Sequence, residues 1–344
     1  MIRSIGMLAC VLAAGAGLSG CSDPDTPSVV LYTSTDDAFA RAVVEEFEQE
    51  TGVRVELVGD TEATKTTGLV TRLQAEADRP RCDVWWSSEP MGTITLAKSG
   101  VLEPGGMAEA TPGDWPGELV GEGSAWIGFA ERGRVIAFAT DRVPEAPTTL
   151  AELTEPGWKG RVGMARPQFG TTRGHMALLL DRWGEAAFAA WLGAIRDNGV
   201  RIYDGNARVV RAIYEGEIDV GLTDTDDVWV AMANDWAVGM VYESQGADAR
   251  WPSRGATTIP NTVAVVRGGP NPEHARTLAA FLASERVERL LAASESRNIP
   301  VHPAARAEFS DLVPPGPDER PDYRRAHPAI TRAMDLCDSV LISP

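Results

Sequence analysis

The sequence predicts an α/β protein of two units, each a mainly parallel sheet flanked by helices, and three observations carry that prediction. Residues 29–99 alternate short apolar runs with amphipathic runs, the pattern of a parallel sheet with right-handed crossovers. Residues 148–242 show the same alternation. An apolar run at 257–266, followed by two helical stretches, returns the chain to the first unit.

The first unit opens with a strand at 29–33 that ends in Tyr32-Thr33-Ser34-Thr35-Asp36. Asp36 is placed to cap a helix whose apolar face is Phe39, Val43, Val44 and Phe47. Gly52 ends that helix, and 53–58 alternates as a second strand. Gly59-Asp60-Thr61 is a loop into a helix carrying Leu69, Val70, Leu73 and Ala77, which Pro80 stops. Cys82-Asp83-Val84-Trp85-Trp86 is a third strand ending at Ser87-Ser88-Glu89, and 92–99 is a helix. Ligands of open α/β sheets collect at the carboxyl ends of strands. Thr33, Ser34, Asp60, Ser87 and Ser88 therefore become candidate binding residues. Trp86 is a candidate for stacking on a ligand cation, weighed against a place in the core, since most of 10 tryptophans must be buried.

Residues 103–123, rich in Gly, Pro and acids, read as surface loop. Two strands follow at 126–130 and 135–140, joined by Glu131-Arg132-Gly133-Arg134. In the second unit a helix starts near Thr148, a strand spans 162–165, and Pro167–Thr172 leads into a helix through Leu180. That helix continues over 181–192 with Trp183, Phe188 and Trp191 as core anchors, and 200–202 is apolar again. Further on, 238–242 is a strand, 272–284 and 285–293 are helices, and 328–341 is the last helix, after a Pro-rich turn at 314–317.

The densest chemistry lies at 206–229. Asn206 is a good N-cap, Val209, Val210 and Ile213 share a helical face, and Gly216 stands where a left-handed cap belongs. Ile218, Val220 and Leu222 then form a strand that delivers Thr223-Asp224-Thr225-Asp226-Asp227 to the mouth of the next helix. Capping accounts for Asp224 or Thr225, and the helix dipole favours Asp226 and Asp227. Three carboxylates within four positions exceed what capping needs, so the cluster is a candidate site.

Composition bounds the function. With 344 residues and a net charge of -17, the surface repels nucleic acid and anionic lipid. Arg3 and the apolar run 5–18 form a signal sequence too short to span a bilayer, ending in Leu18-Ser19-Gly20-Cys21, which resembles a lipobox. Residues 1–20 are thus expected to be removed, Cys21 to carry lipid, and 21–28 to act as a tether. Cys82 and Cys337 lack metal-ligand spacing and read as two buried thiols or a disulfide. Nucleophile-elbow, HExxH and P-loop motifs are absent, and His175, His274, His302 and His327 are scattered, so an enzyme is not expected.

Several segments in order then carry a resemblance. They are Leu31-Tyr32-Thr33-Ser34, Thr51-Gly52-Val53, Arg79-Pro80-Arg81-Cys82-Asp83-Val84-Trp85, Gly160-Arg161-Val162-Gly163, Tyr214-Glu215-Gly216-Glu217-Ile218, Asn271-Pro272-Glu273-His274-Ala275-Arg276 and Phe281-Leu282-Ala283-Ser284-Glu285. The chain resembles the family 1 extracellular solute-binding proteins of ABC importers, and within them the ferric-iron-binding-protein group. The resemblance implies the two-lobe, type II periplasmic-binding-protein fold, hinged by crossing strands. Lobe 1 would comprise 29–128 and 256–300, and lobe 2 would comprise 129–255 and 301–344. It implies a monomeric periplasmic or cell-surface lipoprotein that hands its solute to a permease and ATPase. Its only membrane contact would be the lipid anchor, and it needs no cofactor beyond a metal ion carried as ligand.

Iron-binding members place two adjacent tyrosines where this chain has Asp226 and Asp227, which become the candidate metal ligands. Carboxylates are hard oxygen donors suited to Fe(III), Mg, Ca or Mn. The family also seats an anion at a helix N-terminus and an Asn, positions matched by Gly170-Thr171-Thr172 and Asn206. The expected ligand is ferric iron or another hard cation, with or without an anion. The alternatives are a zwitterion such as an aminophosphonate, a ligand-sensing role, and, least favoured, hydrolysis by Asp224, Asp226 and Asp227.

Overall fold

The computed structural model describes residues 26–60, 65–243, 251, 255–316 and 320–342, so the lipobox and Cys21 lie outside the described residues. The first elements are β1 (Ser28–Thr33), α1 (Asp37–Thr51), β2 (Arg54–Gly59), α2 (Thr67–Ala75), β3 (Val84–Ser87) and α3 (Pro90–Lys98). A long strand β4 (Ile127–Ala139) follows, then β5 (Val162–Ala165), α4 (Gly170–Trp183), α5 (Glu185–Asp197), β6 (Arg201–Tyr203) and α6 (Asn206–Tyr214). Next come β7 (Val220–Asp224), α7 (Thr225–Ala233), β8 (Val238–Tyr242), β9 (Thr258–Val265), α8 (Pro272–Leu282) and α9 (Glu285–Ala293). The tail holds α10 (Pro303–Glu308), α11 (Tyr323–Ala326) and α12 (Ile330–Cys337). No helix among the described residues is long and apolar enough to cross a membrane.

The strands form one mixed sheet in the order β2-β1-β3-β9-β4-β7-β5-β6, with β8 also on β4. β1 runs parallel to β2 and β3, and β5 runs parallel to β6 and β7. β9 and β4 join these halves with antiparallel pairings. Helices alternate with the parallel strands because the inner strands are buried, Val84-Trp85-Trp86 and Val220-Gly221-Leu222 being examples, while the edge strands β2 and β6 are partly exposed. Leu31, Phe47, Val84, Trp86, Phe129 and Leu278 pack in the first half, and Met164, Phe188, Trp191, Ile213, Leu222 and Ala333 in the second.

β4 corrects the expectation of two strands joined at 131–134. One strand of 13 residues crosses both halves, its first part pairing with β9 and its second with β7 and β8. Charged residues read as a turn, yet Glu131, Arg132 and Arg134 are all buried and paired within the protein, so the ladder continues through them. The strand kinks instead at Ala130, whose φ is 41° and where the register with β9 shifts. A non-glycine residue in that region is strained and must be held. Glu288 accepts from the Ala130 amide at 2.7 Å, and Asn261 donates to its carbonyl.

Other boundaries shift for local reasons. Gly184, with φ of 77°, splits the helix expected to continue from 170 to 192. The helix expected near 148 is a short 3-10 turn at Glu152–Thr154. The last helix, expected over 328–341, is divided into a 3-10 turn at His327–Ala329 holding Pro328, α12 and a π turn at Asp338–Ile342, with α11 preceding it. Neither Asp36 nor Asn206 caps its helix through its side chain, because both are committed elsewhere. Gly52 and Gly216 adopt the left-handed conformation expected of them. Cys82 and Cys337 are free and buried.

The tail ties the two halves together. α12 packs on α4, and Arg332 pairs with Glu185. On the other side the Tyr323 hydroxyl donates to the Thr258 carbonyl at 2.9 Å, and Arg324 Nη1 donates to the Val120 carbonyl at 2.8 Å. His327 Nε2 lies 2.9 Å from the Thr95 hydroxyl of α3.

Gly133 sits between the two arginines of β4 where no side chain fits. A Cβ there would run into the Tyr242 ring, with Thr225 Cγ2 at 3.1 Å. That ring is held, since its hydroxyl donates to the Leu312 carbonyl at 3.2 Å. Gly133→Ala is therefore expected to cost about 1–3 kcal/mol through overpacking, measured by denaturant unfolding. An unchanged midpoint would show that Tyr242 moves aside freely.

Candidate functional site

A cleft of about 530 Å3, counting the solvent at its mouth, opens where the halves of the sheet meet. Its walls come from both. Asp36, Lys65 and Ser88 follow β1, β2 and β3, while Thr171 and Thr172 come from the start of α4, Asn206 from that of α6, Asp224 from the end of β7, and Asp226 and Asp227 from the first turn of α7. Arg132 rises from β4 between them, and Arg166 and Asp204 stand on the second wall. The halves already touch across the cleft. The Gly170 amide donates to the Lys65 carbonyl at 3.3 Å, and Arg132 Nη2 donates to the Ser88 carbonyl.

The acid cluster expected from the sequence is assembled, with one ligand atom from each of Asp224, Asp226 and Asp227 lying within 4.8 Å of the others. The three carboxylates have different surroundings. Asp224 is fully buried at the end of β7. Its Oδ1 accepts from Arg134 Nη1 at 2.8 Å, and its Oδ2 accepts from the Thr171 hydroxyl at 2.6 Å and Asn206 Nδ2 at 2.9 Å. Burial pushes its pKa up, but Arg134, Arg132 and the Thr171 hydroxyl outweigh burial and hold it below the usual aspartate value.

Asp226 is the opposite case. Burial raises its pKa, repulsion from Asp224 and Asp36 adds to that, and the Arg132 contact at 3.0 Å does not compensate. Its Oδ1 is buried without a hydrogen-bond partner. The Asp227 pKa is raised well above the usual value, first by burial and then by Asp226, Asp224 and Asp36, and its carboxylate accepts from the Thr223 hydroxyl at 3.1 Å. Arg132 is held protonated: burial opposes its charge, and Asp226 and Asp224 outweigh burial. The site thus contains one satisfied carboxylate and two that a cation would stabilise.

Of the residues expected at strand ends, Ser88 reaches the cleft wall. Thr33, Ser34, Ser87 and Asp60 stand behind it. Ser34 accepts from the Ser88 amide at 3.0 Å, and Ser87 donates to the Glu89 carbonyl at 2.7 Å. Thr33 accepts from the Thr35 amide at 3.0 Å, and Asp60 accepts from the Leu69 amide at 3.4 Å. Thr172 donates to Asn206 Oδ1 at 3.3 Å, so α4 and α6 are cross-linked at the cleft. Trp86 is fully buried and donates to Asn261, a core role. None of the four histidines lines the cleft. The cleft residues that sequence reasoning passed over are Asp36, Lys65, Arg132, Arg166 and Asp204, together with Arg134 beneath them. Asp36 is bound by Lys65, whose ammonium offsets burial and lowers the Asp36 pKa.

A family model described as "Bacterial extracellular solute-binding protein" matches residues 28–294. The chain is 27% identical over 289 residues to the "Major ferric iron-binding protein" of Neisseria meningitidis serogroup B, covering 83% of this chain and 85% of that protein. It is 28% identical over 314 residues to "Iron uptake protein A1" of Synechocystis, covering 85% and 84%. Among solved structures, iron-bound HitA from Pseudomonas aeruginosa superposes with a TM-score of 0.74 at 22% identity, over 92% of this chain and 100% of that one. The periplasmic binding protein AfuA from Actinobacillus pleuropneumoniae, with fructose-6-phosphate bound, gives a TM-score of 0.72 at 16% identity, over 92% and 99%. At those identities the structural likeness speaks to the fold, which is the two-lobe type II binding-protein architecture.

Proposed function

Since the chain belongs to the bacterial extracellular solute-binding protein family, we propose that it is the lipid-anchored binding component of an ABC importer and captures a hard cation, ferric iron foremost, between its lobes. A permease and an ATPase are the partners of this reading, and binding without catalysis is the activity. One observation carries the cation: Asp226 is buried with an unpartnered oxygen, beside Asp227 and within ligand reach of it. Buried carboxylates that repel one another are relieved by a positive ligand. The relatives named for iron support ferric iron as the ion. Arg132, which spans from Asp226 to the Ser88 carbonyl, is positioned to report occupancy of one wall to the other.

The test is titration of chelator-stripped protein with ferric iron and with terbium, a hard trivalent probe, followed by native mass spectrometry. One ion per chain is expected. The iron form should lack the visible colour of phenolate-to-iron charge transfer, because carboxylates stand in the tyrosine positions. Retention of neither ion at micromolar concentration would sink the cation reading. The anchor is tested separately: Cys21→Ser should leave the protein soluble or unprocessed on fractionation, and a variant still on the membrane would remove the lipobox reading.

A further inference from the structure

We infer that Asp224 fills the cleft's own oxyanion seat, so that the protein takes its cation without a co-bound oxyanion. For the cation this rests on the proposed function, whereas occupation of the seat does not. The first turn of α4 contributes the Thr171 hydroxyl, the first turn of α6 the Asn206 amide, and β4 the Arg134 guanidinium. Converging hydroxyl, amide and guanidinium donors beside a helix N-terminus are the equipment of an oxyanion site. Here all three end on one carboxylate, at 2.6, 2.9 and 2.8 Å. That carboxylate is fully buried, and it belongs to the chain. Thr172 is spent as well, donating to the Asn206 side-chain oxygen Oδ1.

An arriving oxyanion would find the donors engaged and a negative charge in place. Displacing Asp224 would strand it in a buried site, where an unpaired charge is costly. Meanwhile Asp224 already presents to the Asp226–Asp227 pair the negative charge that a second ligand would bring, with the unpartnered Asp226 Oδ1 left for the cation. The roles the sequence reading gave to Thr171, Thr172 and Asn206, facing the ligand's negative part, thereby pass to an internal group.

The experiment uses sulfate, an oxyanion that carries no proton for a carboxylate to accept and leaves terbium in solution. Chelator-stripped full-length protein in chloride buffer is titrated calorimetrically with sodium sulfate. Wild type should show no saturable binding, whereas Asp224→Ala, which vacates the seat and leaves the Arg134 charge unanswered, should bind sulfate and gain thermal stability from it. Terbium affinity of wild type should change less than about threefold between chloride and sulfate at equal ionic strength. Asp224→Ala should bind terbium more weakly in chloride and recover about tenfold or more in sulfate, a typical coupling between sites. Saturable sulfate binding by wild type, or a tenfold gain in its terbium affinity, would overturn the inference, as would a folded Asp224→Ala that ignores sulfate. Should Asp224→Ala fail to fold, the two wild-type measurements still decide. If terbium binds in neither buffer, the cation reading falls, and the sulfate titration alone judges the seat.

Discussion

Arg134→Ala is expected to lower folding stability by about 3–5 kcal/mol, as breaking one side of a buried ion pair does. The Arg134 side chain is wholly buried and that of Asp224 nearly so, their contact being 2.8 Å. Without the guanidinium, Asp224 keeps two neutral donors and an Arg132 nitrogen at 3.8 Å. Desolvation, already the largest influence on its pKa, then goes unopposed by its nearest charge. Denaturant unfolding measures the loss. The double substitution Arg134→Met with Asp224→Leu should recover most of it, because removing both charges leaves none stranded. A single-variant loss below about 1 kcal/mol would mean that water reaches the pair and solvates it.

Asp227→Asn should separate binding from folding. Loss of one charge-assisted contact, about 1.5–3 kcal/mol, weakens cation affinity roughly 10- to 100-fold. The empty protein should be no less stable than wild type, because burial and three neighbouring carboxylates disfavour a charge at Asp227. The sign with pH follows from the raised pKa. Asp227 contributes stability in its protonated form, fully present below the ordinary aspartate value and lost as pH rises through the folded-state value. The stability of the empty wild type should therefore fall relative to Asp227→Asn as pH climbs from about 4. Thermal melts across pH, with calorimetric titration at neutral pH, check both halves. Early melting with normal affinity would return Asp227 to a helix-end role.

Much of this was legible in the sequence, for identifiable reasons. The alternation of buried apolar runs with amphipathic ones specified the sheet because its inner strands are covered on both faces, as at Val84-Trp85-Trp86. The acid cluster stood out because its members are neighbours in sequence. Arg132 and Arg134 did not, since their carboxylate partners lie 94 and 90 residues along the chain. Four charged or glycine residues in a row look like a turn until those partners are known. Asp36 and Asn206 obeyed a local capping rule that tertiary partners overrode: Lys65 for one, Thr171 and Asp224 for the other. The strand-end rule located the correct edge of the sheet. It does not say which hydroxyl faces outward, so Ser88 reaches the cleft while Ser34 and Ser87 support it.

The tail gives the molecule a mechanical character that its strands alone would not. Two bodies joined by a pair of adjacent ribbons, β4 and β9, are free to twist as well as to rock. Here a third tie runs outside the ribbons, fixed to one body through Tyr323, Arg324 and His327 and to the other through α12 on α4. Such a tie resists twist, so three connections rather than two set how one body sits on the other.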